Sequence, residues 1–209
     1  MFRIACLHTA DSNINVFEAA APGLPVVLAH AVRADLLAAA EAAGGMDAGT
    51  ADATRGELAA LACIADVVVL TCSTLGPSVD AMTHGAGRII RADAALARQV
   101  AAAARPAVVL CAAPTTLAAT TDLFHAAAVS GPKPVVRLVD GAWTLFRSGD
   151  VDAYLDMLAA AVDQAFAEGV GTVALAQASM AGAVTRCRRG RPLTVPRAAL
   201  EQAVSLAAG

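Results

Sequence analysis

A single thiol set between a run of β-branched residues and a run of hydroxyls is the most reactive arrangement the sequence offers. Cys72 follows Asp66-Val67-Val68-Val69-Leu70-Thr71 and precedes Ser73-Thr74-Leu75-Gly76-Pro77-Ser78, a pattern that predicts a strand turning directly into the start of a helix. At such a place, unpaired backbone N–H groups and the positive end of the helix dipole favour the thiolate, the form that accepts protons. His8 ends the first strand-like run and serves either as an acid or base near neutral pH or as a group that orients another. Small polar residues gather at the ends of other apolar runs: Thr9, Asp11 and Ser12; Ser73 and Thr74; Thr115 and Thr116; Gln177 and Ser179. None of these four loops holds a basic residue apart from His8. With exposed N–H groups they would therefore grip a carboxylate without Lys or Arg. Ordinary helix capping competes with that reading for each hydroxyl, and Asp11 reads equally as a cap or as a site carboxylate. Recurrence at matching places in both halves favours a shared anion site.

Other chemistries find less support. Cys6, Cys63 and Cys111 sit in apolar runs and read as small core residues, and five cysteines in all point to reduced thiols rather than a disulfide framework. His30, His84 and His125 show no metal-ligand spacing, so no metal site is expected. No Gly-x-Gly-x-x-Gly follows the first strand and no phosphate-loop sequence occurs, which argues against nucleotides. A formal net charge of −3 without a basic stripe gives no footprint for nucleic acid. Arg186, Arg188, Arg189 and Arg191 form the one basic cluster, read as a solvated loop before the last helix or as a place for a phosphate or a partner. Mean hydropathy is high at +0.61, yet the longest uncharged stretches, 106–121 and 169–185, are interrupted by Pro, Gly, Thr or Gln and fall short of the roughly 20 apolar residues of a membrane span. The first residues lack the apolar block of a secretory signal, so a cytoplasmic protein is expected.

These residues must be positioned by an α/β scaffold. Apolar runs at 2–7, 26–29, 67–70, 108–111, 135–139 and 173–175 alternate with helix-length, Ala-rich segments such as 31–43, 94–104 and 151–168. Strand, helix, strand at this spacing means βαβ units and parallel sheets flanked by helices. The chain also repeats. A shift of 105 lays Cys6 on Cys111 and 71–76 on 176–181. A similar shift matches Gly87-Arg88 and the helix after it to Gly190-Arg191 and the last helix, and 109 matches Pro25-Val26-Val27 to Pro134-Val135-Val136. Two pseudo-symmetric α/β halves follow, expected as 1–93 plus 186–209 and 94–185. Their site is expected in the cleft between them, at the carboxyl ends of the strands. The Ala-rich face at 34–43 suits either the interior of a monomer or a homo-oligomer.

The duplicated halves, the first-strand sequence Ile4-Ala5-Cys6-Leu7-His8-Thr9, the motif Leu70-Thr71-Cys72-Ser73-Thr74 and the mirrored Leu175-Ala176-Gln177-Ala178-Ser179 resemble the aspartate/glutamate/hydantoin racemase superfamily. The resemblance spans nearly the full length. It implies two α/β domains, no cofactor and a small carboxylate-bearing substrate, with one cysteine on each side of the substrate α-carbon. By position, Cys72 matches the first catalytic cysteine, Ser73 and Thr74 its following residues, and Thr115 and Thr116 the threonines that help hold the carboxylate. His8 and Thr9 stand where many members have Asp-Ser. Gln177 stands in place of the second cysteine, and an amide does not exchange protons near neutral pH. The resemblance thus implies proton transfer by Cys72 alone or with Ser179, His8 or water. An arylmalonate-type decarboxylase with a single proton-donating cysteine and a noncatalytic carboxylate-binding protein are the alternatives.

Overall fold

The computed structural model describes residues 1–82 and 88–209, so His84 and Gly87 lie outside the described residues. Val, Ile and Leu runs form the strands, and the elements follow in the order β1 (Phe2–His8), α1 (Ser12–Ala20), β2 (Val26–Val32), α2 (Ala34–Ala42), α3 (Ala48–Ala62), β3 (Val67–Leu70), α4 (Pro77–Asp80), β4 (Ile89–Arg91), α5 (Ala92–Ala102), β5 (Ala107–Cys111), α6 (Leu117–Ala127), β6 (Val135–Leu138), α7 (Ala142–Ser148), α8 (Val151–Ala167), β7 (Thr172–Leu175), β8 (Leu193–Thr194) and α9 (Val195–Ala208). They make two four-stranded sheets, ordered β2-β1-β3-β4 and β6-β5-β7-β8. Every pairing is parallel. The expected pair of α/β halves is present. One compact unit comprises Met1–Ala95 with Pro196–Gly209, the other Leu96–Val195. Residues 186–195 lie in the second unit because β8 pairs with β7.

Side chains alternate across a strand, so each sheet divides its residues between two faces. In the first unit, Ala5, Leu7, Val68, Leu70 and Ile89 face Leu36, Ala40 and Leu58 of α2 and α3 in one buried cluster. Ile4, Cys6 and His8 take the opposite face. The second unit packs Val108, Leu110, Val173 and Leu175 against Tyr154, Leu158, Val162 and Ala165, a stripe at helical spacing on α8. Burying each large apolar side chain there contributes roughly 1.5–3 kcal/mol. Helix starts are set locally: Asp47 accepts from the Thr50 N–H at 2.7 Å and Asp150 from the Ala153 N–H at 3.2 Å.

Register corrects the repeat. Leu7 lies opposite Leu70 on β3 as Leu110 lies opposite Leu175 on β7. The first strands are therefore related by an offset of 103, whereas β3 and β7 keep the expected 105. Cys6 does not correspond to Cys111; His8 does. The β2–β6 correspondence shifts likewise, since His8 registers with Val32 and Cys111 with Leu138, an offset of 106 rather than 109.

Candidate functional site

Each sheet ends in a cluster of polar side chains. In the first unit, β1 stops at His8, and β3 continues past Leu70 into Thr71 and Cys72. His8 is fully buried. Its Nδ1 lies 2.9 Å from Thr71 Oγ1, its Nε2 2.9 Å from His30 Nδ1, and His30 Nε2 reaches Glu18 Oε1 at 3.1 Å. The Thr71 hydroxyl donates its one proton to the Leu7 carbonyl at 3.0 Å, so toward the imidazole it accepts, and His8 Nδ1 carries the proton. Burial first, and His30 second, push the His8 imidazole down to about 4. Phe17 stands edge-on to the ring, with centroids 5.3 Å apart. His8, named from the sequence as an acid or base, thus has both nitrogens engaged inside the fold.

Cys72 is half-buried, its sulfur free of any disulfide and its side chain packed on the Leu70–Leu75 region of the core. The expected helix does not begin at the thiol. Residues 73–76 form turns, and only the four-residue α4 follows, starting at Pro77. Proline fits the first helical turn but not an interior position, so it sets the start of the helix. No helix N-terminus therefore lies at the Cys72 sulfur to favour its thiolate. Ser73 and Thr74 beside it are exposed. Gly76 lies so close under Arg91 that a Cβ there would meet the guanidinium at 2.5 Å, and Arg91 is itself committed to Asp80 and Asp93. Across the sheet edge, Thr9 is buried, while Asp11 and Ser12 are exposed at the start of α1. Asp11 makes no side-chain cap.

In the second unit, Gln177 takes the place of Cys72, two residues past the end of β7. Its Oε1 accepts from the backbone N–H of Ala112 at 2.8 Å and of Ala113 at 3.0 Å. These are the first two donors past the end of β5, and the amide occupies them as an anion would. Thr115 is exposed, and the Thr116 hydroxyl donates to the Ala113 carbonyl at 2.9 Å. Ser179 Oγ lies 3.0 Å from the hydroxyl of Tyr154, which burial pushes up to about 12. Cys111, the counterpart of His8, is buried, and burial raises its thiol.

Sequence reasoning missed three members of the first cluster: Cys6, Glu18 and His30. The available signal was strand alternation. Cys6 and His8 are two apart on β1, and His30 registers with Cys6, so all three share one sheet face. The arginine-rich segment is tied to α8 rather than solvated throughout: Arg186 pairs with Asp156 at 2.8 Å and with Asp152, and the Asp163 carboxylate accepts from the N–H of Arg188 and Arg189. Among the described residues no helix is long and apolar enough to cross a membrane.

No protein-family model matches this chain, and no curated protein matches its sequence. Solved structures do match. Aspartate racemase of Picrophilus torridus superposes with a TM-score of 0.71 at 11% identity, over 100% of this chain and 95% of its own. Allantoin racemase from Klebsiella pneumoniae gives 0.69 at 17%, over 100% and 88%. An aspartate racemase homologue from Pyrococcus horikoshii OT3 gives 0.68 at 11%, over the whole of both chains. The fold is that of the aspartate/glutamate/hydantoin racemases.

Proposed function

We propose that this chain is a cofactor-independent enzyme of the aspartate/glutamate/hydantoin racemase superfamily, transferring a proton at the carbon next to the carboxylate of a small acid or amino acid, with Cys72 as the acid/base. The observation that carries the reading is the position of Cys72. It is a free, half-buried thiol just past the carboxyl end of an inner strand, the edge where parallel α/β sheets take ligands, in a fold shared end to end with racemases.

Deprotonated, the sulfur takes the α-proton and leaves an enediolate; the same proton, or one exchanged from solvent, then returns to carbon. Hydroxyls and backbone N–H groups of the strand-end loops hold the developing negative charge. Thr9, Ser12, Ser73 and Thr74 are the candidates in the first unit, where the Asp11 carboxylate would instead accept from a substrate ammonium, and Thr115, Ser179 and the amide N–H of Gln177 those in the second. His8 acts as a positioning residue, fixing Thr71 beside the thiol. Gln177 supplies no second proton carrier. Proton return by one sulfur therefore favours exchange with retention over full inversion, unless Ser179 or water serves the opposite face.

The test is incubation in D2O with amino acids, hydantoins and malonates. Deuterium entering at the α-carbon, lost in Cys72→Ala, supports the reading; undiminished exchange in Cys72→Ala overturns it. Loss of CO2 with one deuterium gained would assign a decarboxylase instead. Ligand-induced stabilisation with neither reaction would assign a binding protein.

A further inference from the structure

Cys6, His8 and His30 bring one sulfur and two imidazole nitrogens, each from a different side chain, within 4.8 Å of one another. Strand geometry builds the group: Cys6 and His8 sit two apart on β1, and His30 lies beside Cys6 on β2. The outer nitrogens decide what the inner ones can do. His8 Nδ1 faces the Thr71 oxygen, whose proton is committed to the Leu7 carbonyl. His30 Nε2 faces the Glu18 carboxylate. Both partners accept, so both outer nitrogens carry hydrogen. The inner pair, His8 Nε2 and His30 Nδ1, then face each other at 2.9 Å. A cation, whether a proton or a metal ion, is what joins two such nitrogens. A carboxylate on one histidine and a hydroxyl on the other are the outer partners that orient metal-binding imidazoles.

We propose that Cys6 Sγ, His8 Nε2 and His30 Nδ1 form a site for a thiophilic divalent ion of the zinc class, with Glu18 and Thr71 as the outer hydrogen-bond partners. A thiolate with two imidazoles suits zinc and its neighbours and disfavours magnesium or calcium. Tetrahedral coordination at zinc distances separates donor atoms by about 3.3–3.6 Å, so the set closes with side-chain movements of about 1 Å. On binding, the Cys6 proton passes to solvent and the sulfur bonds the metal. His30 is 12% exposed and Glu18 55%, which gives an ion its way in from the α1 side. The site shares His8 and Thr71 with the strand end that carries Cys72 but does not use that thiol, so metal binding is read without any measurement of turnover.

The test uses the untagged, chelator-treated full chain, titrated with Co2+ and with Zn2+. Expected are one equivalent bound, tetrahedral Co2+ absorption with a thiolate charge-transfer band, and a higher melting temperature with Zn2+. Cys6→Ala should abolish the charge-transfer band, and His30→Ala should weaken binding more than 100-fold. Glu18→Gln, at an exposed position where folding is not at stake, should weaken it about 10- to 100-fold. Absence of stoichiometric binding to the unaltered chain overturns the site, as does binding that Glu18→Gln and His30→Ala leave unchanged.

Discussion

His8 and Cys111 hold the same place in the two sheets. Each ends the second strand of its sheet's order, and each offers its carbonyl to the residue that follows the edge strand, Arg33 at 2.9 Å and Val139 at 2.8 Å. Both side chains are buried, yet their surroundings diverge. The imidazole joins a polar chain running through His30 to Glu18, whereas the thiol lies near the hydroxyls of Thr116 and Thr120. One scaffold position thus carries an imidazole in a row of polar side chains in one half and a buried thiol beside two threonine hydroxyls in the other.

Burial ranks the five thiols, and alkylation of the native chain should reproduce the ranking. Cys63 is exposed and reacts first; Cys6 and Cys111 are buried and react last. Cys72 and Cys187 are half-buried, but burial, reinforced by Asp163, pushes Cys187 up to about 11. That leaves it roughly 100-fold less thiolate than an ordinary cysteine, so Cys187 should label slowly for its exposure. Mass spectrometry after timed iodoacetamide treatment reads the order. Equal rates for Cys72 and Cys111 would contradict it.

Gln177 holds the loop after β5 by accepting two backbone N–H groups with one oxygen. Gln177→Ala leaves both donors unserved, which costs about 1–3 kcal/mol, or a melting temperature lower by about 2–12 °C. Gln177→Glu keeps the acceptor and should keep the stability. Gln177→Cys carries a similar cost but puts a second thiol at the position that matches the second cysteine of the resembled racemases, so under the proposed function α-deuteration with inversion should appear or rise. Calorimetry and chiral analysis after D2O incubation check the two halves of this prediction separately.

Gly190 faces the ring of Phe166, which a Cβ would approach to 2.6 Å, whereas a Cβ on Gly131 meets nothing within 4 Å. Gly190→Ala should destabilise by about 1–3 kcal/mol through overpacking. Gly131→Ala should fall within about 0.5 kcal/mol of the parent. Equal melting temperatures for the two variants would show that the Phe166 ring yields freely.

The inner strands were legible because their apolar runs are buried on both faces; 67–70 in the sequence is β3 to the residue. Short edge strands were not. β4 has three residues and β8 two, too few for any alternation to register, and their hydrogen bonds come from neighbours already in place. The strand read at 26–29 runs on to Val32, and those added residues include His30. One boundary therefore hid the His8–His30 pair, which no spacing along the chain reveals because parallel register, not sequence distance, joins it. The helix expected at Cys72 failed for a readable reason: Pro77 sets a later start. Gln177 was legible as the missing cysteine, but its hold on Ala112 and Ala113 depends on where β5 ends, a tertiary fact.

Tyr154 is the chain's sole tyrosine, so alkaline titration of tyrosinate absorbance reports this one site. Burial raises its hydroxyl from 10 to about 12, and the bond with Ser179 offsets part of the rise. The folded chain should therefore titrate near 12 and the denatured chain near 10. Because the folded value is the higher, the unfolded state loses the proton first. The stabilisation is whole below pH 10 and declines as pH rises through 12, and the gap corresponds to about 3 kcal/mol. Ser179→Ala removes the hydroxyl that steadies the phenolate and should move the folded midpoint higher still. A native midpoint at 10 would place the Tyr154 hydroxyl in water, and with it Ser179, whose partner inside the fold would then be lost.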